Sequence, residues 1–162
     1  MSDNKTQGTP IIILSFIAAL FLTIMPLPEF LQAFRPAWVP MVLIYWVMAL
    51  PNRLGVGVGW LVGLLLDVAT GTLLGQNAMA LSLLAFLTLQ LHQRLRVYPI
   101  GQQAMSILML VALYQMLVVW VRGIIGFPPE TWLYWMQSFA SMLAWPLLFI
   151  ALRGVRRQYR VS

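Results

Sequence analysis

One aspartate lies inside an apolar stretch of this sequence, where few other side chains could do chemistry. Asp67 stands between residues 54 and 74, among residues that are mostly aliphatic or glycine. A carboxylate at the depth of a bilayer costs at least about 2.5 kcal/mol, so such groups usually face a partner or a wet cavity. Three roles for Asp67 are therefore open: a structural ion pair or hydrogen-bond anchor, a contact with a partner protein, and a proton or solute site.

The residues that catalysis requires do not occur together in the apolar stretches. A nucleophile needs a neighbouring base, and a catalytic metal needs several ligands. The sequence has no cysteine, and its single histidine, His92, lies in a basic segment beside Arg94 and Arg96. Asp67 is the only acid in the apolar stretches, and no Gly-x-x-x-x-Gly-Lys phosphate loop is present. We predict that the protein is not an enzyme and uses no cofactor or metal.

Apolar stretches repeat along nearly the whole chain, and most charges lie in the gaps between them. The 162 residues are 61% hydrophobic and 9% charged, whereas soluble domains carry about 25% charged residues. Hydrocarbon cannot hydrogen-bond an exposed backbone, so stretches of this length are typical of transmembrane helices. We predict an all-α polytopic membrane protein, a single integral membrane domain over residues 1–162. Its six transmembrane helices are predicted at about 11–25, 37–50, 54–74, 78–91, 104–125 and 132–152.

The basic residues predict how these helices are oriented. With the N-terminus in the cytoplasm, eight of the ten basic residues lie inside, and only Arg35 and Arg122 lie outside. Cytoplasmic loops carry an excess of Lys and Arg, so both termini are predicted to be cytoplasmic. The net charge of +6 indicates anionic lipid rather than nucleic acid, because the basic residues cluster at helix ends and in the tail. The inside set is Lys5, Arg53, Arg94, Arg96, Arg153, Arg156, Arg157 and Arg160, of which the last four are predicted to contact lipid or an acidic cytoplasmic surface.

Asp67 belongs to a row of small residues spaced four apart: Gly63, Asp67, Gly71 and Gly75. A spacing of four keeps residues on one slowly drifting helical stripe, and small residues there let another helix approach closely. If Asp67 is ion-paired, Arg35 is the first candidate partner and Arg122 the second. Of the tryptophans, Trp46 and Trp60 are predicted to pack between helices.

Several short motifs, taken in order along the chain, resemble the rod shape-determining protein MreD family. The resemblance covers essentially the whole length, and it rests on the order and spacing of the motifs more than on any one of them. They are Phe34-Arg35-Pro36-x-Trp38, Leu43-x-Tyr45-Trp46, Ala49-Leu50-Pro51-x-Arg53, Gly55-x-Gly57, the row from Gly63 to Gly75, Ala78, and Trp145-Pro146 before the basic tail.

The resemblance implies a non-enzymatic inner-membrane part of the machinery for lateral peptidoglycan synthesis. It implies association with the bitopic protein MreC and, with MreC, a link from MreB filaments to the glycosyltransferase RodA and a class B penicillin-binding protein. We expect Gly63, Gly71 and Gly75 to serve close helix packing or the contact with the MreC transmembrane helix, with Asp67 and Arg35 fixing the arrangement or the partner contact. Whether the chain forms a homodimer is left open.

The resemblance also implies an alternative function. The family is similar in fold to the six-helix substrate-binding components of energy-coupling-factor transporters, which would make the chain a solute-binding membrane subunit. A pocket in which Asp67, Asn77 and Gln115 converge would favour that alternative. An enzyme acting on isoprenoid lipids is a third interpretation, but the sequence lacks the catalytic groups it would need.

Overall fold

The computed structural model describes residues 9–26, 28, 35–51, 54–71, 74–126 and 135–158, and within these ranges it has six α-helices. All regular secondary structure within these ranges is helical, which confirms the all-α prediction. The helices are α1 (Thr9–Ile24), α2 (Trp38–Ala49), α3 (Val56–Thr70), α4 (Gln76–Val97), α5 (Ile100–Ile124) and α6 (Met136–Gln158).

Each predicted span overlaps one of these helices, but several ends differ: α5 begins at Ile100 rather than at residue 104, and α6 ends at Gln158 rather than at residue 152. Two further differences have identifiable reasons. Helix α3 ends at Thr70 rather than at residue 74, because Gly71 adopts a left-handed backbone conformation that stops the helix. Helix α4 continues past residue 91 to Val97, through its polar end, and stops shortly before Pro99, which disfavours helix in the residue preceding it. The start predicted for the last span, residue 132, lies outside the described ranges.

Helix α2 lies at the centre of the bundle. Every residue from Val39 to Ala49 is buried, as expected of a helix that is apolar on all sides. It contacts α1, α4, α5 and α6. The indole N–H of Trp46 donates a hydrogen bond of 2.8 Å to the Ser15 hydroxyl of α1, and the Tyr45 ring packs edge-on against Phe149 of α6 at 5.7 Å.

The outward faces of the helices carry large apolar side chains. Phe21 of α1, Val68 of α3, Met109 of α5 and Leu147 of α6 are all more than 60% exposed, which is typical of a surface that faces lipid or a partner. By length and composition, α5 and α6 are able to cross a membrane, whereas α1, α2 and α3 are shorter apolar helices. This surface and these two helices fit a membrane protein.

The two ends of the bundle differ in their side chains. One end, where α1, α3 and α5 finish and α2, α4 and α6 begin, surrounds a cavity lined by Arg122. The opposite end, where α2, α4 and α6 finish, surrounds a cavity lined by Arg153. These are called the Arg122 end and the Arg153 end below. Arg96, Arg153 and Arg156, predicted inside, therefore lie at the opposite end of the bundle from Arg122, predicted outside.

Candidate functional site

The Asp67 carboxylate is fully buried where α3 ends and α4 begins. Its Oδ1 accepts hydrogen bonds from the backbone N–H (2.9 Å) and the side-chain amide (2.8 Å) of Asn77. Its Oδ2 accepts hydrogen bonds from the backbone N–H groups of Gly75 (2.9 Å) and Ala78 (3.4 Å). The first N–H groups of a helix lack intrahelical partners, and the helix dipole favours a negative charge beside them. Asp67 therefore caps α4 from the preceding helix.

Two glycines make this capping geometry accessible to the chain. Gly71 and Gly75 have φ values of +71° and +102°, a region that glycine enters without the steric penalty of a Cβ atom. Both residues lie beyond the end of α3, so the predicted helical stripe stops at Asp67 and does not continue through them. They flank the connection between α3 and α4, which brings the backbone N–H groups at the start of α4 to the Asp67 carboxylate.

Gly63 permits a backbone-to-backbone contact between α3 and α4. A Cβ atom at this position would lie 2.3 Å from the Cα of Ala78 and 2.6 Å from the carbonyl oxygen of Asn77. One turn earlier, a Cβ atom at Gly59 would lie 2.7 Å from the carbonyl oxygen of Leu81. The close approach that these glycines allow is to α4 of the same chain.

Further polar side chains join α4, α5 and α6. The Tyr114 hydroxyl of α5 donates a hydrogen bond to the Asn77 side-chain oxygen. On the next residue, the Gln115 amide nitrogen donates to the Gln137 side-chain oxygen of α6 at 2.9 Å, and the Ser138 hydroxyl donates to the Gln115 side-chain oxygen. Buried polar groups usually bond to one another in this way.

Ser141 extends these contacts to the central helix. Its hydroxyl donates to the Gln137 backbone carbonyl at 2.7 Å and accepts a 2.8 Å hydrogen bond from the backbone N–H of Ala37, just before α2. The predictions from the sequence did not include the grouping of Gln137, Ser138 and Ser141 on α6. The sequence pattern that could have revealed this grouping is two adjacent polar residues with a third one helical turn later, all within an apolar stretch. The buried polar network is defined by Asp67, Asn77, Tyr114, Gln115, Gln137, Ser138 and Ser141.

Arg35 contacts the end of α1 instead of Asp67. Its guanidinium donates hydrogen bonds to the carbonyl oxygens of Thr23 and Met25, where the helix dipole favours a cation. These contacts replace the ion pair predicted between Arg35 and Asp67. The second candidate, Arg122, lies at the same end of the bundle and lines the cavity there.

The cavity at the Arg122 end, here called the Arg122 cavity, has a volume of about 190 Å³ and a partly polar wall. Of the three residues predicted to converge in a solute pocket, Asn77 lies in this wall, whereas Asp67 and Gln115 are not among the described residues that line it. Small-molecule sites usually measure about 300–1,000 Å³, so this cavity alone is small for a solute. Its polar lining residues include Thr70, Gln76, Asn77, Tyr114, Arg122 and Gln137.

Basic residues from two helices converge at the opposite end. Arg96 of α4 and Arg153 and Arg156 of α6 line a cavity of about 140 Å³ beneath Tyr45. Asp67 is the only acidic residue within the described ranges, and it lies at the Arg122 end. Of the other predicted tail residues, Arg157 is exposed, and Arg160 lies outside the described ranges. The Arg153 end is thus a basic surface, at which none of the described residues is acidic.

Comparison with known proteins agrees with the resemblance in the sequence. The family model of the rod shape-determining protein MreD matches residues 4–155. The rod shape-determining protein MreD of Haemophilus influenzae is 31% identical to this chain over 146 residues, which are 90% of each of the two chains. No solved structure matches the chain. The chain belongs to the rod shape-determining protein MreD family, and it is therefore a membrane-associated cell-shape protein rather than an enzyme.

Proposed function

We propose that this protein is an inner-membrane scaffold that binds MreC and helps couple MreB filaments to lateral peptidoglycan synthesis. RodA and a class B penicillin-binding protein would join the same assembly, directly or through MreC. The observation that carries this proposal is the buried polar network, whose hydrogen bonds join helices of the chain itself. Polar groups used in this way rigidify a bundle, and a rigid bundle with an apolar exterior is suited to holding other membrane proteins.

The proposed placement has six helices crossing the membrane and both termini in the cytoplasm. The basic Arg153 end then faces the cytoplasm, in agreement with the positive-inside rule. Helix α2 is only 12 residues long, or about 18 Å at 1.5 Å per residue. Because it is enclosed by protein, its ends need no direct contact with lipid or water, so its length does not oppose this placement.

We propose that the MreC helix packs on the outward face of α3. Gly63 and Asp67 are covered by α4, so their contribution to partner binding would be indirect, through the position of α3. Gly57, Leu61 and Leu65 form an exposed row with a spacing of four, and a Cβ atom at Gly57 would meet nothing within 4 Å. Such a row, with a small residue in it, lets a second helix approach closely.

Cysteine cross-linking tests this contact, because the chain contains no cysteine of its own. We expect Leu61→Cys to cross-link to cysteines placed along the MreC transmembrane helix in native membranes. Leu147→Cys on α6 is the matched control, since Leu147 is also apolar and exposed, and it should give no product. Equal cross-linking at both positions, or none at residue 61 with MreC present, contradicts the proposed contact.

Co-purification in mild detergent tests the scaffold itself. Wild type should retain MreC, and Gly57→Leu should lose it without losing thermal stability, because the position is open. Asp67→Ala should lower stability first, because it removes the cap of α4. A wild-type preparation that lacks MreC and carries an energising transporter module or a vitamin would support the solute-binding subunit instead.

The Arg122 cavity favours that alternative, since Asn77, Tyr114 and Gln137 converge on it. Its volume of about 190 Å³ is below the usual range of solute sites.

At the Arg153 end, we propose that Arg153, Arg156, Arg157 and Arg160 contact anionic headgroups or an acidic surface of the cytoplasmic filament. Anionic headgroups attract such juxtamembrane basic residues with about 1 kcal/mol each.

A further inference from the structure

An apolar groove runs between the start of α4 and the end of α5. Its volume is about 390 Å³, which falls within the range of small-molecule sites. Its wall is almost entirely apolar, and its described polar side-chain groups are the Gln76 amide and the Trp120 indole N–H. Its lining includes Gln76, Met79 and Leu83 of α4 and Leu117, Trp120 and Ile124 of α5.

Gln76 is almost enclosed, and no hydrogen bond of its side-chain amide is found among the described residues. The residue is 4% exposed, but its amide atoms are not among the fully buried unpaired ones, so the small part of Gln76 that stays accessible includes the amide. An amide that faces an apolar surface without a partner is unfavourable, and most polar side chains in such places have one. Because Gln76 lines the groove, the missing partner would be a polar group on whatever occupies the groove.

The length of the groove indicates what kind of molecule that is. Its lining lies within the first eight residues of α4 and the last eight residues of α5, a distance of about 12 Å at 1.5 Å per residue. A partner transmembrane helix would need a groove along much of the roughly 30 Å hydrocarbon layer. A lipid needs only a polar site at the membrane interface and an apolar path below it. Gln76 and Trp120 lie near the end of the bundle, and Leu83 and Leu117 lie deeper. The groove therefore has its polar group near the interface and its apolar path below, as a lipid requires.

A polar site for a headgroup lies beside the groove. Gln76 lines both the groove and the Arg122 cavity. The cavity wall also carries the Arg122 guanidinium, and guanidinium groups are usual donors to phosphate oxygens. The Asn77 amide and the Tyr114 hydroxyl in the same wall already donate within the buried polar network. Arg122 is the one charged residue among the described residues of both linings, so the site favours a headgroup that carries negative charge.

We propose that this groove and the adjoining cavity bind one phosphate-bearing glycerolipid. Its headgroup occupies the Arg122 cavity, one acyl chain follows the groove between α4 and α5, and the Gln76 amide donates to an ester or phosphate oxygen. The inference rests on the membrane placement proposed above, and it assigns a ligand to a part of the chain that is separate from the proposed MreC contact on α3.

Native mass spectrometry of the detergent-purified full chain tests this proposal with phosphatidylglycerol as the probe. Gln76→Leu removes the amide and breaks no bond within the described structure, so the fold should be retained. Leu83→Trp fills the groove. Gln90→Leu and Phe86→Trp are matched controls on exposed positions of the same helix. We expect bound phosphatidylglycerol to fall about five-fold in Gln76→Leu, the equilibrium factor for one neutral hydrogen bond, to fall in Leu83→Trp, and to stay unchanged in both controls.

Three results would overturn the proposal. If all four variants retain phosphatidylglycerol equally, the proposed lipid site is wrong. If diacylglycerol with the same acyl chains is retained as well as phosphatidylglycerol, the site does not recognise the phosphate. A photo-cross-linker at position 79 that captures a polypeptide in native membranes, whether a second copy or another protein, shows that a helix occupies the groove. Co-purified MreC is measured in the same samples, so failure of the lipid site is distinguishable from failure of the scaffold.

Discussion

Replacing Gly63 with alanine tests whether the α3–α4 contact determines the stability of the bundle. The added Cβ atom would lie 2.3 Å from the Cα of Ala78, whereas ordinary contacts begin at 3.4 Å. The shortfall of about 1.1 Å (3.4 minus 2.3) falls on backbone atoms, so α4 itself must move. That movement displaces the N–H groups of Asn77 and Ala78, which are the donors to the Asp67 carboxylate.

The expected loss of unfolding free energy is about 1–3 kcal/mol for overpacking, and more if the bonds to Asp67 also break. At about 3 °C per kcal/mol for a chain of this size, Tm should fall by roughly 3–9 °C. The assay is thermal unfolding of the purified protein in one mild detergent. Gly57→Ala is the matched control, because it lies on the same helix with nothing within 4 Å of its added Cβ atom.

Gly57→Ala should leave Tm unchanged or raise it, because alanine favours the helix over glycine by up to about 1 kcal/mol. The comparison therefore separates the close contact at residue 63 from the general effect of adding a methyl group to α3. If Gly63→Ala and Gly57→Ala give the same Tm, the backbone contact between α3 and α4 does not exist as described, and the account of Asp67 as a cap of α4 loses its geometric basis.

Three further predictions use the same unfolding assay. Asp67→Asn should lower the free energy of unfolding by about 1.5–3 kcal/mol, the range for hydrogen bonds to a charged group, because an amide is a weaker acceptor for the N–H groups of α4. An unchanged Tm would show that the charge of Asp67 is not needed for stability. Gly71→Ala should cost about 1–2 kcal/mol for its positive φ, and Gly71→Asn should recover part of this, since asparagine tolerates that conformation. Trp46→Phe and Ser15→Ala should show a coupling of about 0.5–1.5 kcal/mol in a double-mutant cycle; additive effects would mean that the indole bond contributes nothing.

The amino-acid sequence by itself determined the helical class, the approximate position of each helix and the family. These properties follow from local patterns: long apolar stretches separated by charges can satisfy their backbone only as helices, and ordered motifs identify relatives. The sequence also indicated that Asp67 was unusual, because a carboxylate in an apolar stretch needs a partner. It could not identify the partners of Asp67, which lie eight to eleven residues further along the chain.

The tertiary structure decided which groups meet. Trp46 and Trp60 both lie within apolar helices and were predicted to pack between them, yet Trp46 is fully buried and Trp60 is 48% exposed, so the prediction was right for the first and wrong for the second. Almost every side chain in these helices is apolar, so the pattern does not reveal which face of a helix turns inward. Arg35 and Asp67 likewise looked complementary, but each found backbone partners at a nearby helix end. The charge of a side chain determines what kind of partner it requires, whereas the packing of the helices determines which group lies close enough to be that partner.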